Sequence, residues 1–201
     1  MLLLREIRPA LSLIILFTML TGVLLPAGFT AAMQLAMPYQ ANGSLITRQG
    51  QIIGSALIGQ NFKSRIYFEP RPSALMGTDA KGNAVATPYD ARESGASNLA
   101  PTSAALLVSV KQRIAAYLKA YGPGPVPADA VTASGSGLDP DISAANARRQ
   151  APAIAAARHL PAANVLALVS HMTHGSLFGI IGTPHVNVLQ LNLALDALPA
   201  S

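Results

Sequence analysis

The sequence predicts an α+β protein: one N-terminal transmembrane helix followed by a single outward-facing (periplasmic) mixed α/β domain. Three observations point there. Pro9 to Thr47 contains no charged side chain. The remaining chain interleaves hairpin-like and helix-like patterns, and no second apolar run of comparable length follows. The chain accordingly divides into a cytoplasmic N-terminus (1–8), an anchor (9–38) and an extracytoplasmic domain (39–201).

The anchor comes first. A helix needs about 20 apolar residues to cross the hydrocarbon core, and Ala10 to Leu25 (ALSLIILFTMLTGVLL) is almost wholly aliphatic, continuing through Ala31, Met33 and Leu35. With no water to bind peptide groups, only a helix satisfies them internally. Arg5 and Arg8 against Glu6 precede the run, and the next charge is Arg48. The Lys/Arg excess marks the cytoplasmic side, so the domain is expected outside. A cleaved secretory signal is the competing reading, with Thr30-Ala31-Ala32 as its small-residue site. Such signals carry an apolar core of only about 7–15 residues, which favours a retained anchor. Pro26, within the run, is accommodated by a kink or by neighbouring helices.

Composition narrows the rest. The chain has 201 residues, 14 Lys and Arg against 9 Asp and Glu, and neither Cys nor Trp. Without cysteine there is no disulfide framework and no thiol nucleophile, so the domain is held by its core or a partner. The basic residues are scattered and not interleaved with aromatics, which does not suit nucleic acid. The mean hydropathy of +0.38 reflects the anchor plus an Ala-rich remainder.

Beyond Asn42-Gly43, Ser44–Arg48 and Gln51–Ile58 flank Gln49-Gly50 and read as a β-hairpin. Arg65–Phe68 reads as a short strand closed by Pro70 and Pro72. Met76 to Asn98 reads as a long surface loop, a kind that is often functional. Pro101 opens a helix with Leu106, Leu107, Val110, Ile114, Tyr117, Leu118 and Tyr121 on one face. Lys111, Gln112, Arg113 and Lys119 mostly face away, and Gly122-Pro123 stops it. Ser143 is the expected N-cap of a helix through Gln150, interrupted or kinked by Pro152, with a second segment to His159. Pro161 starts another helix that buries Val165, Leu166, Leu168 and Val169. Leu177–Ile181 reads as a strand, and 186–198 as a strand entry followed by a helix.

Chemistry is sparse. His171 and His174 would stand one turn apart on a helix, and His185 and His159 could join them, but zinc needs three or four correctly placed ligands and no carboxylate lies between Asp141 and Asp196, so the set is thin and surface or helix-end histidines are the favoured reading. Ser134-Gly135-Ser136-Gly137 resembles an anion nest but lacks the Lys-Ser/Thr ending of a P-loop; a structural loop is the favoured reading. Gly95-Ala96-Ser97-Asn98 is not a nucleophile elbow. Asp139 and Asp141 are expected at a helix start, where acidic residues meet the positive end. No residue is expected to be catalytic and none to ligate a metal. Leu57, Ile58, Gln60, Asn61, Phe62, Arg71 and Ser73 are the partner-interface candidates, because conspicuous aromatic, arginine and apolar side chains on loops suit interfaces. Core filling by Phe62 and Tyr67 is the alternative.

Several of these segments together resemble the C subunit of the Kdp-type potassium-transporting ATPase, the KdpC family. They are Arg8-Pro9-Ala10-Leu11, Ala41–Ile46, Gly54–Phe62, Tyr67-Phe68, Arg71–Ala74, Ser97-Asn98-Leu99, Thr132–Ser134, Ser136–Asp139, Gln150, Ala157-Arg158, Gly182, Pro184, Val186-Asn187 and Leu191–Asp196. They run in order over almost the whole chain; His171–Ser176 departs from the family's more charged version. The resemblance implies a non-catalytic accessory subunit of a high-affinity ATP-driven potassium uptake complex in the bacterial inner membrane. Its partners would be a channel-like potassium-binding subunit, a P-type ATPase subunit, a small single-helix subunit and the lipid bilayer, with no nucleic acid. ATP and potassium would be handled by the complex, with no covalently bound cofactor. The family is described as a catalytic chaperone that raises ATP affinity, and Gln150 matches a glutamine proposed to touch nucleotide. The expected topology opposes a direct contact, since ATP is cytoplasmic. A membrane-anchored periplasmic enzyme and a secreted binding domain are the readings from other classes.

Overall fold

The computed structural model describes residues 2–176 and 178–199. They form two compact units, Met1–Ile53 and Gly54–Ser201.

The first unit is dominated by helix. α1 (Leu2–Met19) runs into a wide π turn, Leu20–Leu24, and continues as α2 (Leu25–Ala36). The cause is Pro26, which has no N–H to give to the carbonyl four residues back. The preceding turn widens, and Leu25 N–H reaches back to Leu20 O. Such π turns are a recognised cause of helix irregularity. The apolar helix spans Arg5–Ala36, 32 residues, about 48 Å at 1.5 Å per residue, which is ample for a bilayer. The helix breaks at Met37 (φ −140°, ψ 61°), and α3 (Pro38–Ala41) is a single further turn. β1 (Leu45–Arg48) and β2 (Gln51–Ser55) then pair as the expected hairpin. Gln49 and Gly50 both have positive φ (53° and 78°), as the favoured two-residue hairpin turn requires.

The second unit packs three helices around a two-stranded sheet. β5 (Asp141–Ser143) and β6 (His185–Asn187) are antiparallel, with Ile142 opposite Val186. Around them lie α6 (Ala144–Ala157), α7 (Ala162–His171) and α8 (Val188–Asp196). Ala144, Ala147, Ala151 and Ala155 form a small-residue face of α6, and with Ile154, Val165, Val169, Leu191, Leu195 and Phe68 they make the core. Small side chains let helices approach closely. β3 (Met76–Thr78) and β4 (Ala84–Ala86) form a separate hairpin, and α4 (Ala104–Tyr121) and α5 (Ala128–Val131) complete the described elements.

Local signals account for most ends. Ser143 accepts from Asn146 N–H as the N-cap of α6, and Asn187 accepts from Gln190 N–H to cap α8. The strand entry followed by a helix is as expected there. Gly122 closes α4 at φ 81°. At the end of α6, Leu160 N–H bonds Ala155 O and His159 N–H bonds Ala156 O. With His159 at φ 56°, this is a Schellman closure made without glycine.

Five expectations need correction. Pro101 does not open α4; the N-cap is Ser103, which accepts from Leu106 N–H, and Leu107 is exposed. Pro152 does not split α6. It and Arg148, whose carbonyl it deprives of a partner, both lie on the exposed side of one continuous helix, where water can bind that carbonyl. The loop 76–98 contains the β3–β4 hairpin, whose turn is closed by Asp79 accepting from the N–H groups of Lys81 and Asn83. Residues 178–180 of the expected strand 177–181 form a turn; Leu177 lies outside the described residues. Finally, Arg65–Phe68 is not a strand.

The reason for the last is instructive. Phe68 is fully buried, and no strand runs beside it. Its N–H donates to Asn192 Oδ1 (2.8 Å) and its carbonyl accepts from Asn192 Nδ2 (3.1 Å). A side-chain amide from α8 thus replaces the ladder. Replacing it by Leu orphans both peptide groups, at about 1–3 kcal/mol each. Asn192→Leu should therefore lower the urea midpoint of the folded chain sharply, whereas Asn192→Gln should fail to rescue it, because the longer amide overshoots the peptide.

Candidate functional site

The tract Asn61–Pro72 has no regular structure, so its geometry must come from elsewhere. Next to the Asn192 contact, Gln150 of α6 repeats the arrangement one residue on. Gln150 Oε1 accepts from Glu69 N–H (2.8 Å), while Nε2 donates to Glu69 O (3.1 Å) and to Asn146 Oδ1 (3.0 Å). Asn146 Oδ1 also accepts from the Tyr117 hydroxyl (2.9 Å). Two consecutive peptide units are clamped by two buried amides. Upstream, Arg158 stacks on the Tyr67 ring (5.0 Å) and donates to Ile66 O and to Asp196, whose carboxylate also takes the Tyr67 hydroxyl.

Downstream, Arg71 Nη1 donates to Asp139 Oδ2 (2.9 Å), and Tyr89 donates its hydroxyl to Arg71 O (2.7 Å). The buried Nε of Arg71 has no partner. Asp139 thus serves Arg71 and not a helix start; Asp141 lies in β5. The carboxylate at the N-terminus of α6 is Asp129, which accepts from Ser143 N–H, Ser143 Oγ and Asn146 Nδ2. Gly137 (φ 71°) lets the neighbouring loop close: a Cβ there would lie 2.5 Å from Leu75 Cγ. Gly137 N–H is taken by Ser134 Oγ and Gly95 N–H by Ser136 O. The Ser134–Gly137 loop is therefore bonded into the structure.

The clamped tract forms one wall of an open cleft of about 470 Å³. Asn61, Phe62, Lys63, Glu69, Pro70, Arg71 and Pro72 face Arg113, Ala116, Tyr117, Ala120 and Tyr121 of α4, with Ala130 at one end. The Tyr117 and Tyr121 rings pack tilted at 53°, their centroids 4.7 Å apart. Arg113 donates to Val131 O (3.1 Å), so it faces the cleft and not away from it. Burial pushes the Glu69 carboxyl above its ordinary value, partly offset by a hydrogen bond from Tyr121 and by the Arg65 charge. Burial also raises both tyrosines. Lys63, Arg71 and Arg113 against Glu69 leave the lining cationic on balance.

Of the interface candidates, Asn61, Phe62 and Arg71 meet in this cleft. Phe62 is half-buried against the core and tilted on Tyr67 at 5.7 Å, so it fills the core edge and lines the cleft at once. Leu57, Ile58, Gln60 and Ser73 are not among the lining residues. Leu57 is exposed, Gln60 packs over Gly54, and Ser73 Oγ accepts from Leu75 N–H. Gln150 is 1% exposed, with its amide bonded to Glu69 and Asn146. Sequence reading missed Glu69, Arg113, Tyr117 and Tyr121 as cleft residues. The four-residue spacing of Arg113, Tyr117 and Tyr121 was the available signal. His171 ends α7, while His174 stacks on His185 at 5.6 Å, so the two do not sit one turn apart on a helix. Among the described residues no three His, Asp or Glu gather to hold a metal.

Glu69 makes stability pH-dependent. Its carboxyl holds a proton more tightly folded than unfolded, so its contribution is full below about 4.5 and is lost as pH rises through the native value. Urea titrations across that range should show stability falling with pH. Glu69→Gln, which can still accept from Tyr121, should flatten that fall.

Comparison with known proteins completes the description. The family model described as "K+-transporting ATPase, c chain" matches residues 7–197. A Bradyrhizobium sp. protein named "Potassium-transporting ATPase KdpC subunit" is 50% identical over 197 residues, covering 96% of this chain and 98% of its own. Proteins of the same name from Bradyrhizobium diazoefficiens and Gemmatimonas aurantiaca are each 48% identical, covering 98% of this chain and 99% and 95% of their own. With a family match over nearly its full length, the chain belongs to the KdpC family and is a subunit of a potassium-transporting ATPase complex.

Proposed function

We propose that this chain is a non-catalytic, single-pass assembly subunit of the potassium importer. Its helix Arg5–Ala36 is retained in the inner membrane, and residues 39–201 lie on the periplasmic side. The cleft along Asn61–Pro72 is the docking surface for a partner subunit, the channel-like one being favoured by its outward mouth. The observation that carries this reading is a preformed cleft whose conspicuous groups are three cations and three aromatic rings, Phe62, Tyr117 and Tyr121, set on a clamped backbone. Arginine and aromatic residues are the side chains enriched at interface centres. A backbone already held in place loses little freedom on binding.

An influence on ATP use would then travel through the assembly. Gln150 acts as a positioning residue for Glu69 and Phe68, without contacting nucleotide. Coupling of this kind is a free energy between sites, typically about 1–3 kcal/mol. It needs two states of the cleft wall and no shared ligand.

The test is co-purification of the tagged full chain with its partner subunits from detergent extracts. Phe62→Ala should reduce recovered complex more than it lowers the melting temperature of the isolated subunit; equal loss of both would leave Phe62 a core residue only. A periplasm-dependent phosphatase fused after Ser201 should be active. Activity of a cytosol-dependent reporter alone would overturn the outward placement and return Gln150 to candidacy for nucleotide.

A further inference from the structure

The turn between α7 and β6 carries Phe178, Ile180 and Ile181 at 85%, 83% and 60% exposure. Phe178 and Ile180 are the most exposed large apolar side chains of the second unit among the described residues. They are held out by the backbone. Phe178 (φ 53°), Gly179 (φ 76°) and Gly182 (φ 84°) make the turn. Its base is pinned where His174 and His185 exchange two backbone hydrogen bonds (2.9 and 3.1 Å) with their rings stacked. An apolar group presented on a pinned base marks a contact surface.

Two further facts select the occupant. His159 to Leu195 contains no Asp, Glu, Lys or Arg, and the carboxylate of the paired strand, Asp141, stands at His185 at the base (3.9 Å), so covering the tip alone with an apolar phase strips no formal charge of its water. The chain itself supplies the apolar phase. Only 17 residues separate Ala36, the end of the apolar helix, from Gly54, where the second unit begins. At about 3.5 Å per residue the tether reaches no more than about 60 Å, so the tip works at high effective concentration against the bilayer.

We propose that Phe178, Ile180 and Ile181 form a lipid-contacting wedge that seats in the interfacial zone of the bilayer holding the chain's own helix. The wedge is a second, reversible contact beside a permanent anchor, in the manner of shallow interfacial insertion. It would limit the tumbling of the domain at the membrane surface.

The proposal depends on the apolar helix residing in a bilayer and not on the docking role of the cleft. The chain has no Trp, so Phe178→Trp places a single reporter at the tip. Full-length protein retained in phosphatidylcholine/phosphatidylglycerol nanodiscs should show tip emission shifted to the blue. The emission should lose most of its intensity when the phosphatidylcholine is brominated along its chains. Leu107→Trp, on the exposed face of α4, should keep water-like, unquenched emission, with unchanged circular dichroism in both variants. Unquenched, water-like tip emission would overturn the proposal. So would equal quenching at both positions, or a blue shift that develops only when partner subunits are added and is insensitive to bromine.

Discussion

Two side-chain amides hold the cleft-lining tract of this domain in shape. Gln150 and Asn192 each make the paired hydrogen bonds that a neighbouring strand would make, one to Glu69 and one to Phe68. Buried peptide groups must be satisfied, and here two helices satisfy them from their sides. The consequence is an irregular tract that is nonetheless fixed, with Phe68 as its plug in the core. Because Gln150 also bonds Asn146, which bonds Tyr117 of α4, both walls of the cleft are tied to the same helix. Loosening α6 would disturb both walls together.

The electrostatics follow from that placement. Glu69 is carried into a half-buried position, where desolvation works against its charge. Arg71 is oriented by Asp139 and left with one donor unpaired. Both residues flank peptide units that are hydrogen-bonded to Asn192 and Gln150. The wall they share is partly desolvated and, with Lys63 and Arg113 beside them, cationic on balance.

The N-terminal unit obeys a different constraint. Among the described residues its helix buries no side chain, and it is long and apolar enough to cross a bilayer. Pro26 is absorbed by the π turn before it with the helix uninterrupted. Apolar helix and folded domain therefore follow separate rules within one chain.

What the sequence by itself determined was local. The apolar helix, the Gln49-Gly50 hairpin, the Ser143 cap, the helix from Pro161 and the strand-then-helix close at 185–196 each depend on residues within a few positions of one another. Period, cap and turn chemistry act at that range. What only the tertiary structure decided involves partners far apart along the chain. Phe68 is non-strand because Asn192, 124 residues away, takes its peptide group, and Gln150 reaches Glu69 across 81. Asp129 and not Asp139 meets the start of α6, and Arg113 turns into the cleft because Val131 O lies there. The reading of Arg65–Phe68 as a strand was chemically sound, since the tract does demand strand-like hydrogen bonds. Which group supplies them is a matter of packing, because a side-chain amide and a neighbouring backbone offer the same donor and acceptor.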